Sequence, residues 1–227
     1  MPAAFEYAPD DKDLREAAQT ELTQRRERHA LAARYYAGRH KQQIKVKPGE
    51  VDDNVIINLV KQTVDRTCSF LAGSFPTIEL DEQRETDAEK ALHLAWLKAG
   101  GARLLLKLAK HGALDGHVFT RVLPPDEGSD APPRVIALNP ANVVAFWQGD
   151  DYERVLWYEV HWTVGKTPFR QDIVRGEGDW TIRQFQGGGS GDAWTLRGQE
   201  DWPYPVGPIV DWQHGLDADT FYGAGEA

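Results

Sequence analysis

Histidines, carboxylates and tryptophans are the side chains through which this chain could do chemistry, so their spacing is read first. His111 and His117 flank a predicted helix end, while His29, His40, His93, His161 and His214 are scattered. Metal sites place ligands on one helix turn or loop, and neither His-x-x-x-His nor His-Glu-x-x-His occurs. No metal and no cofactor is therefore expected. Asp10-Asp11-Lys12-Asp13 lacks the glycine and closing glutamate of a calcium loop and reads as an acidic helix start. Gly187-Gly188-Gly189-Ser190-Gly191 is the one run flexible enough to cradle a phosphate. No helix pattern and no Lys-Ser/Thr pair follows it, so it reads as a hairpin loop. Nucleophile-elbow and dinucleotide fingerprints are missing, and no enzymatic activity is expected.

Eight tryptophans stand out: Trp96, Trp147, Trp157, Trp162, Trp180, Trp194, Trp202 and Trp212. Most fall on strand-like segments, where Trp157 and His161 share a face and Tyr158 points to the other. With Asp150, Asp151 and Glu153 they suggest a sugar-stacking platform, the alternative being a carbohydrate-active or carbohydrate-binding β-rich protein. Nothing pins two carboxylates to one cleft, however. The rings are better read as core and subunit interface, where Trp and Tyr are enriched.

Charge points to partners rather than substrates. The net charge of −9 argues against a protein that coats nucleic acid. Its distribution is uneven. Arg25, Arg26, Arg28, Arg34, Arg39, Lys41, Lys45 and Lys47 stand against one acid, Glu27, whereas no Lys or Arg follows Arg197. Arg25, Arg26, Arg28, Arg34, Arg39 and Lys41 are accordingly the candidate subunit-interface residues, offered to acidic neighbours. No apolar run approaches the ~20 residues that span a bilayer, so no membrane partner is expected. A lone cysteine, Cys68, sits in a helix-patterned apolar stretch and reads as a buried thiol in a reducing compartment.

The elements that must position these residues fall into two blocks. Strong helix formers from Asp11 to Ala37 predict a first helix stopped by Gly38, low in apolar residues and so lying on a surface or against another subunit. Asp52 or Asp53 is expected to cap a second helix running to Ala72, with an apolar stripe through Val55, Leu59, Val64, Cys68 and Leu71. A short strand is expected at Thr77–Leu80. Thr86-x-x-Glu89 is a capping box opening a third helix, interrupted at Gly100-Gly101 and closing at Gly112 or Gly116. Beyond His117 the chain turns to β, with strand-like runs at 118–122, 134–138, 143–147, 154–164, 169–174, 180–185 and 193–196. Helices first, then hairpins, predict an α+β fold with a mostly antiparallel sheet. The division expected is an N-terminal helical arm (1–50), a helical part (51–116), an antiparallel β part (117–212) and a closing segment (213–227).

Several stretches together carry a family likeness. They are Arg34-Tyr35-Tyr36-Ala37-Gly38; Asn58 and Val64 through Leu71-Ala72-Gly73-Ser74-Phe75-Pro76; and Asp115-Gly116-His117-Val118-Phe119-Thr120-Arg121-Val122. Ile136-Ala137-Leu138-Asn139-Pro140-Ala141-Asn142-Val143-Val144, Pro208-Ile209-Val210-Asp211-Trp212 and Tyr222-Gly223-Ala224-Gly225-Glu226 complete the set. In this order the chain resembles the portal proteins of tailed bacteriophages, siphophage type, over nearly its whole length. The turn after Leu71 departs from the family by an insertion. The resemblance implies a portal wing-like α+β fold in a structural subunit of the head-to-tail connector ring. In the family that ring is a dodecamer at the capsid vertex, through which double-stranded DNA is packaged and ejected. The implied partners are other copies of the chain, the capsid, terminase and head-tail adaptor proteins. The implied setting is the virion, and host cytoplasm during assembly. It also implies that the stem, clip and crown would follow the segment ending at Ala227.

Overall fold

In the computed structural model the described residues are 7–8, 11–39, 48–49, 57–73, 86–125, 128–129, 131–148, 151–188, 194–215, 221–223 and 225. Four helices come first: α1 (Lys12–Tyr36), α2 (Leu59–Ala72), α3 (Asp87–Lys98) and α4 (Ala102–Asp115). Eight strands follow: β1 (His117–Leu123), β2 (Arg134–Ala137), β3 (Val143–Gln148), β4 (Asp151–Val164), β5 (Thr167–Arg175), β6 (Trp180–Gly187), β7 (Trp194–Trp202) and β8 (Ile209–Gln213). All pair antiparallel, in a five-stranded meander β3-β4-β5-β6-β7 and a three-stranded sheet β2-β1-β8. The α+β class holds, with two sheets in place of one. β8 returns to pair with β1 and so splits the β block.

Local chemistry sets most helix ends. The Asp11 side chain accepts from the Leu14 N–H at 3.0 Å, which caps α1 at its acidic start. Thr86 and Glu89 form the reciprocal capping box of α3. The Gly100-Gly101 pair divides the third predicted helix into α3 and α4, and α4 ends on Gly116 in the left-handed region, φ 74°. One cap differs from expectation. Asn58, rather than Asp52 or Asp53, caps α2, accepting from Lys61 N–H at 2.9 Å while its Nδ2 donates to the Tyr36 carbonyl at 2.9 Å. A single amide thus satisfies the start of α2 and the end of α1, which neither aspartate is placed in sequence to do. Asp52, Asp53 and the strand expected at Thr77–Leu80 lie outside the described residues.

The main core lies between the sheets. Ala145, Tyr158, Ile173 and Ile182 are successive cross-strand neighbours on one face of the meander, and they pack with Phe119 and Ile209 of the small sheet. The opposite face carries Phe146, Trp157, Glu159, His161, Arg170 and Asp172. Part of it lies beneath α1, so β4 and β5 are buried on both faces there and depart from apolar-in, polar-out alternation, while β7 stays mostly exposed. Along α1 the buried residues Ala18, Leu22, Arg25 and Ala32 form one stripe at helical spacing. That stripe seats the helix on its own chain, against β3 and the 3-10 turn Pro140–Asn142. Full burial of Leu22 contributes about 1.5–3 kcal/mol. A second cluster, Val64, Cys68 and Ala113, joins α2 to α4, and a third, Leu104, Leu108 and Val118, joins α4 to β1.

Candidate functional site

Two groups of polar residues come together, and they differ in what they can do. The first is the charged cluster between α1 and the meander. Glu159 on β4 and Asp172 on β5 face each other as cross-strand partners, both fully buried. Arg15 of α1 reaches Glu159 Oε1 at 2.8 Å, and His161 Nε2 lies 3.2 Å from Glu159 Oε2. Arg170 grips Asp172 through Nε at 2.7 Å and Nη2 at 3.0 Å, with its guanidinium over the Phe185 and Trp194 rings. Tyr7 donates to Asp172 Oδ2 at 2.8 Å and sits edge-on to Trp157.

Electrostatics divide the pair. Burial and the adjoining Glu159 carboxylate push Asp172 upward, only partly offset by Arg170. Burial pushes Glu159 up as well, but the hydrogen bond from His161 and the charges of Arg15 and Arg170 prevail and hold it below the usual carboxylate range. Paired carboxylates of this kind would suit acid–base hydrolysis if a substrate reached them. Here they are wrapped by their cations, so the arrangement fastens α1 and residue 7 to the sheet. The tryptophans follow the same logic. Trp157, Trp180 and Trp202 are core, Trp147 stacks on Phe221, and exposed Trp162 is stacked on Phe169. Of the acids expected beside a sugar platform, Asp151 is exposed. Asp150 and the Glu153 side chain lie outside the described residues.

The second group is a cleft of about 730 Å³ between α1 and α4. Arg26 enters from α1, and Arg103, Lys107 and Lys110 from α4, against a single lining carboxylate, Asp115. Its floor is apolar, made by Ala30, Ala33, Leu106 and Leu114. Asp115 is already engaged, with His29 Nδ1 at 3.0 Å from one oxygen and His111 Nδ1 at 2.8 Å from the other. Burial pushes its pKa up, but the hydrogen bonds from His111 and His29 outweigh this and hold it below the usual carboxylate range. Lys110 bonds the Tyr36 hydroxyl at 2.9 Å, which keeps its ammonium protonated, above the usual lysine range. The cleft is thus a cationic groove with an apolar floor, suited to an acidic surface. Among the described residues no cluster of three His, Cys, Asp or Glu side chains is arranged to hold a metal ion.

The interface candidates read from sequence are dispersed by the fold. Arg26, Arg28, Arg34 and Arg39 are exposed. Arg26 donates to Asn142 Oδ1 at 3.1 Å at the groove's rim, and Arg28 lies 3.8 Å from Glu21. Arg34 stands over the Tyr35 ring, and Lys41 lies outside the described residues. Arg25 is corrected: it is 3% exposed, donates to the Val143 carbonyl at 2.6 Å and lies 3.9 Å from the Tyr222 ring centre. A guanidinium spent inside its own chain is not available to a neighbour. Sequence reasoning missed the α4 contribution. Arg103, Lys107, Lys110 and His111 recur at three- and four-residue spacing, a signal masked by the leucines between them.

Comparison with models of known protein families and with curated proteins yields no match to this chain.

Proposed function

We propose that this chain is the wing portion of a portal-type ring subunit of a tailed bacteriophage, a structural component at the capsid vertex through which DNA is packaged and ejected. The observation that carries the reading is the set of joints formed by the segments bearing the resemblance. Asp115-Gly116-His117 is the point where α4 is released into β1 through a left-handed glycine. Residues 136–144 turn the chain from β2 through a 3-10 turn into β3, and Ile209–Gln213 is the strand that returns to β1. A helix-to-strand junction, a pair of strands joined around a proline, and a later strand are what the portal resemblance implies at these positions. The cationic groove gives such a subunit one face for an unlike neighbour, as closed rings with head-to-tail contacts require.

The test is assembly under crowding. Chemical cross-linking at rising protein concentration, followed by mass spectrometry and negative-stain microscopy, should reveal weak, reversible association with links between unlike surfaces, forming arcs or rings. Association confined to a two-fold dimer joined through like surfaces refutes the reading. So does sustained cleavage of a polysaccharide, which would promote the carbohydrate-active alternative.

A further inference from the structure

We infer that the α1–α4 groove is the acceptor for the acidic end of the meander of a second copy of this chain, so that copies join head to tail. This deepens, and rests on, the proposed ring function. The donor surface is formed where the β5–β6 turn meets the end of β7. Glu177 and Asp179 in the turn and Glu200 and Asp201 on β7 are all exposed. The antiparallel register brings them to one end, with Asp201 opposite Thr181 and Trp202 opposite Trp180. Arg175, over the Trp180 ring, is the cation that turn carries. Just past β7, Tyr204 and Val206 are exposed apolar side chains.

The two surfaces match in kind. Arg26, Arg103 and Lys107 face an acidic edge, and the apolar floor through Leu106 faces Tyr204 and Val206. Among the described residues no ion pair joins the two within one chain. A donor and an acceptor on one molecule that do not meet each other specify a heterologous contact, which closes into a ring or runs on as a filament. Nucleic acid is the less favoured occupant. A chain of net charge −9 repels a polyanion at long range, whereas a second copy presents its acids locally, beside apolar contacts.

Because both surfaces lie on one chain, charge reversal gives a self-checking experiment. The acceptor variant Arg103→Glu/Lys107→Glu and the donor variant Glu200→Lys/Asp201→Lys alter exposed residues only, and thermal unfolding verifies that each folds. Sedimentation velocity at low salt should show each variant alone associating at least about tenfold more weakly than wild type. Mixing the variants pairs every reversed surface with an opposite one and should restore association. Loss in both variants without restoration in the mixture overturns the inference, as does unchanged association of either one. Under both outcomes the wild type still associates, and the portal reading stands. A wild type that stays monomeric under crowding overturns both. A 20-base-pair duplex bound through Arg103 and Lys107, with self-association unaffected by their reversal, assigns the groove to nucleic acid and also overturns the inference.

Discussion

Replacing Arg25 by alanine should destabilise the fold by about 3 kcal/mol without acting on any contact between copies. The guanidinium makes a charge-assisted hydrogen bond to the Val143 carbonyl at 2.6 Å, a type contributing about 1.5–3 kcal/mol. It also lies 3.9 Å from the Tyr222 ring centre, worth about 0.5–2 kcal/mol. Part of this gain is offset by the cost of burying a cation, seen in the downward displacement of its ionisation by desolvation. The losses spread further, because the Tyr222 hydroxyl accepts from the Ala145 N–H at 3.1 Å and the ring is held beneath the arginine. For a chain of this size a loss of ~3 kcal/mol lowers Tm by roughly 6–12 °C. Urea and thermal unfolding followed by near-ultraviolet circular dichroism would read it. Arg25→Lys should recover only part of the loss, since an ammonium cannot lie flat on the ring while reaching the carbonyl. An Arg25→Ala protein within 0.5 kcal/mol of wild type, a limit at the level of surface substitutions, that instead loses self-association would refute this account and return Arg25 to the interface.

Other expectations follow from the same geometry. Gly223→Ala should cost about 1–3 kcal/mol, because a Cβ there would lie 2.4 Å from the Gly116 carbonyl and 2.7 Å from that of Gly215; a chemical denaturation midpoint equal to wild type would contradict it. Gly116→Ala, at φ 74°, should cost about 1–2 kcal/mol by the same measurement. Asp115 titrates below its usual range, so its contribution is fully present above the unfolded value of about 3.9 and is lost as pH falls through the lower folded value. The stability gap between wild type and Asp115→Asn should therefore close below about pH 4, and a gap that widens there would reverse the assignment. Glycan, nucleotide and peptide substrates should show no turnover, and turnover abolished by Asp151→Asn would show otherwise.

Local signals were legible wherever one short stretch fixes its own geometry. The acidic start at Asp11, the Thr86–Glu89 box, the Gly100-Gly101 break and the strand runs from 118 to 196 all depend on neighbours within a few residues. What stayed hidden depends on distant partners. The pairing of β8 with β1 and the burial of Arg25 against residues about a hundred positions away leave no periodicity to read. Glu159, Arg170 and Asp172 look like a solvated strand face until α1 covers them, and α1 looks too polar to cover anything. The groove was half legible. Its α1 rim stood out as a basic run, but its α4 wall was masked by Leu104, Leu105 and Leu106.

The return of β8 to β1 has a consequence for the order of folding during synthesis. His117 is paired with Gln213 and Arg121 with Ile209, so β1 waits some ninety residues for its second neighbour. At about 5–20 residues per second that is roughly 5–20 s on the ribosome. In the interval the meander can zip hairpin by hairpin, since each of its strands pairs with the next to emerge. β8 then completes the small sheet beside β1, and Ile209 joins Phe119 in the core. A nascent chain stalled before Ile209 would thus hold a finished meander whose core face lacks Ile209 and Phe221, a stage exposed to capture by chaperones.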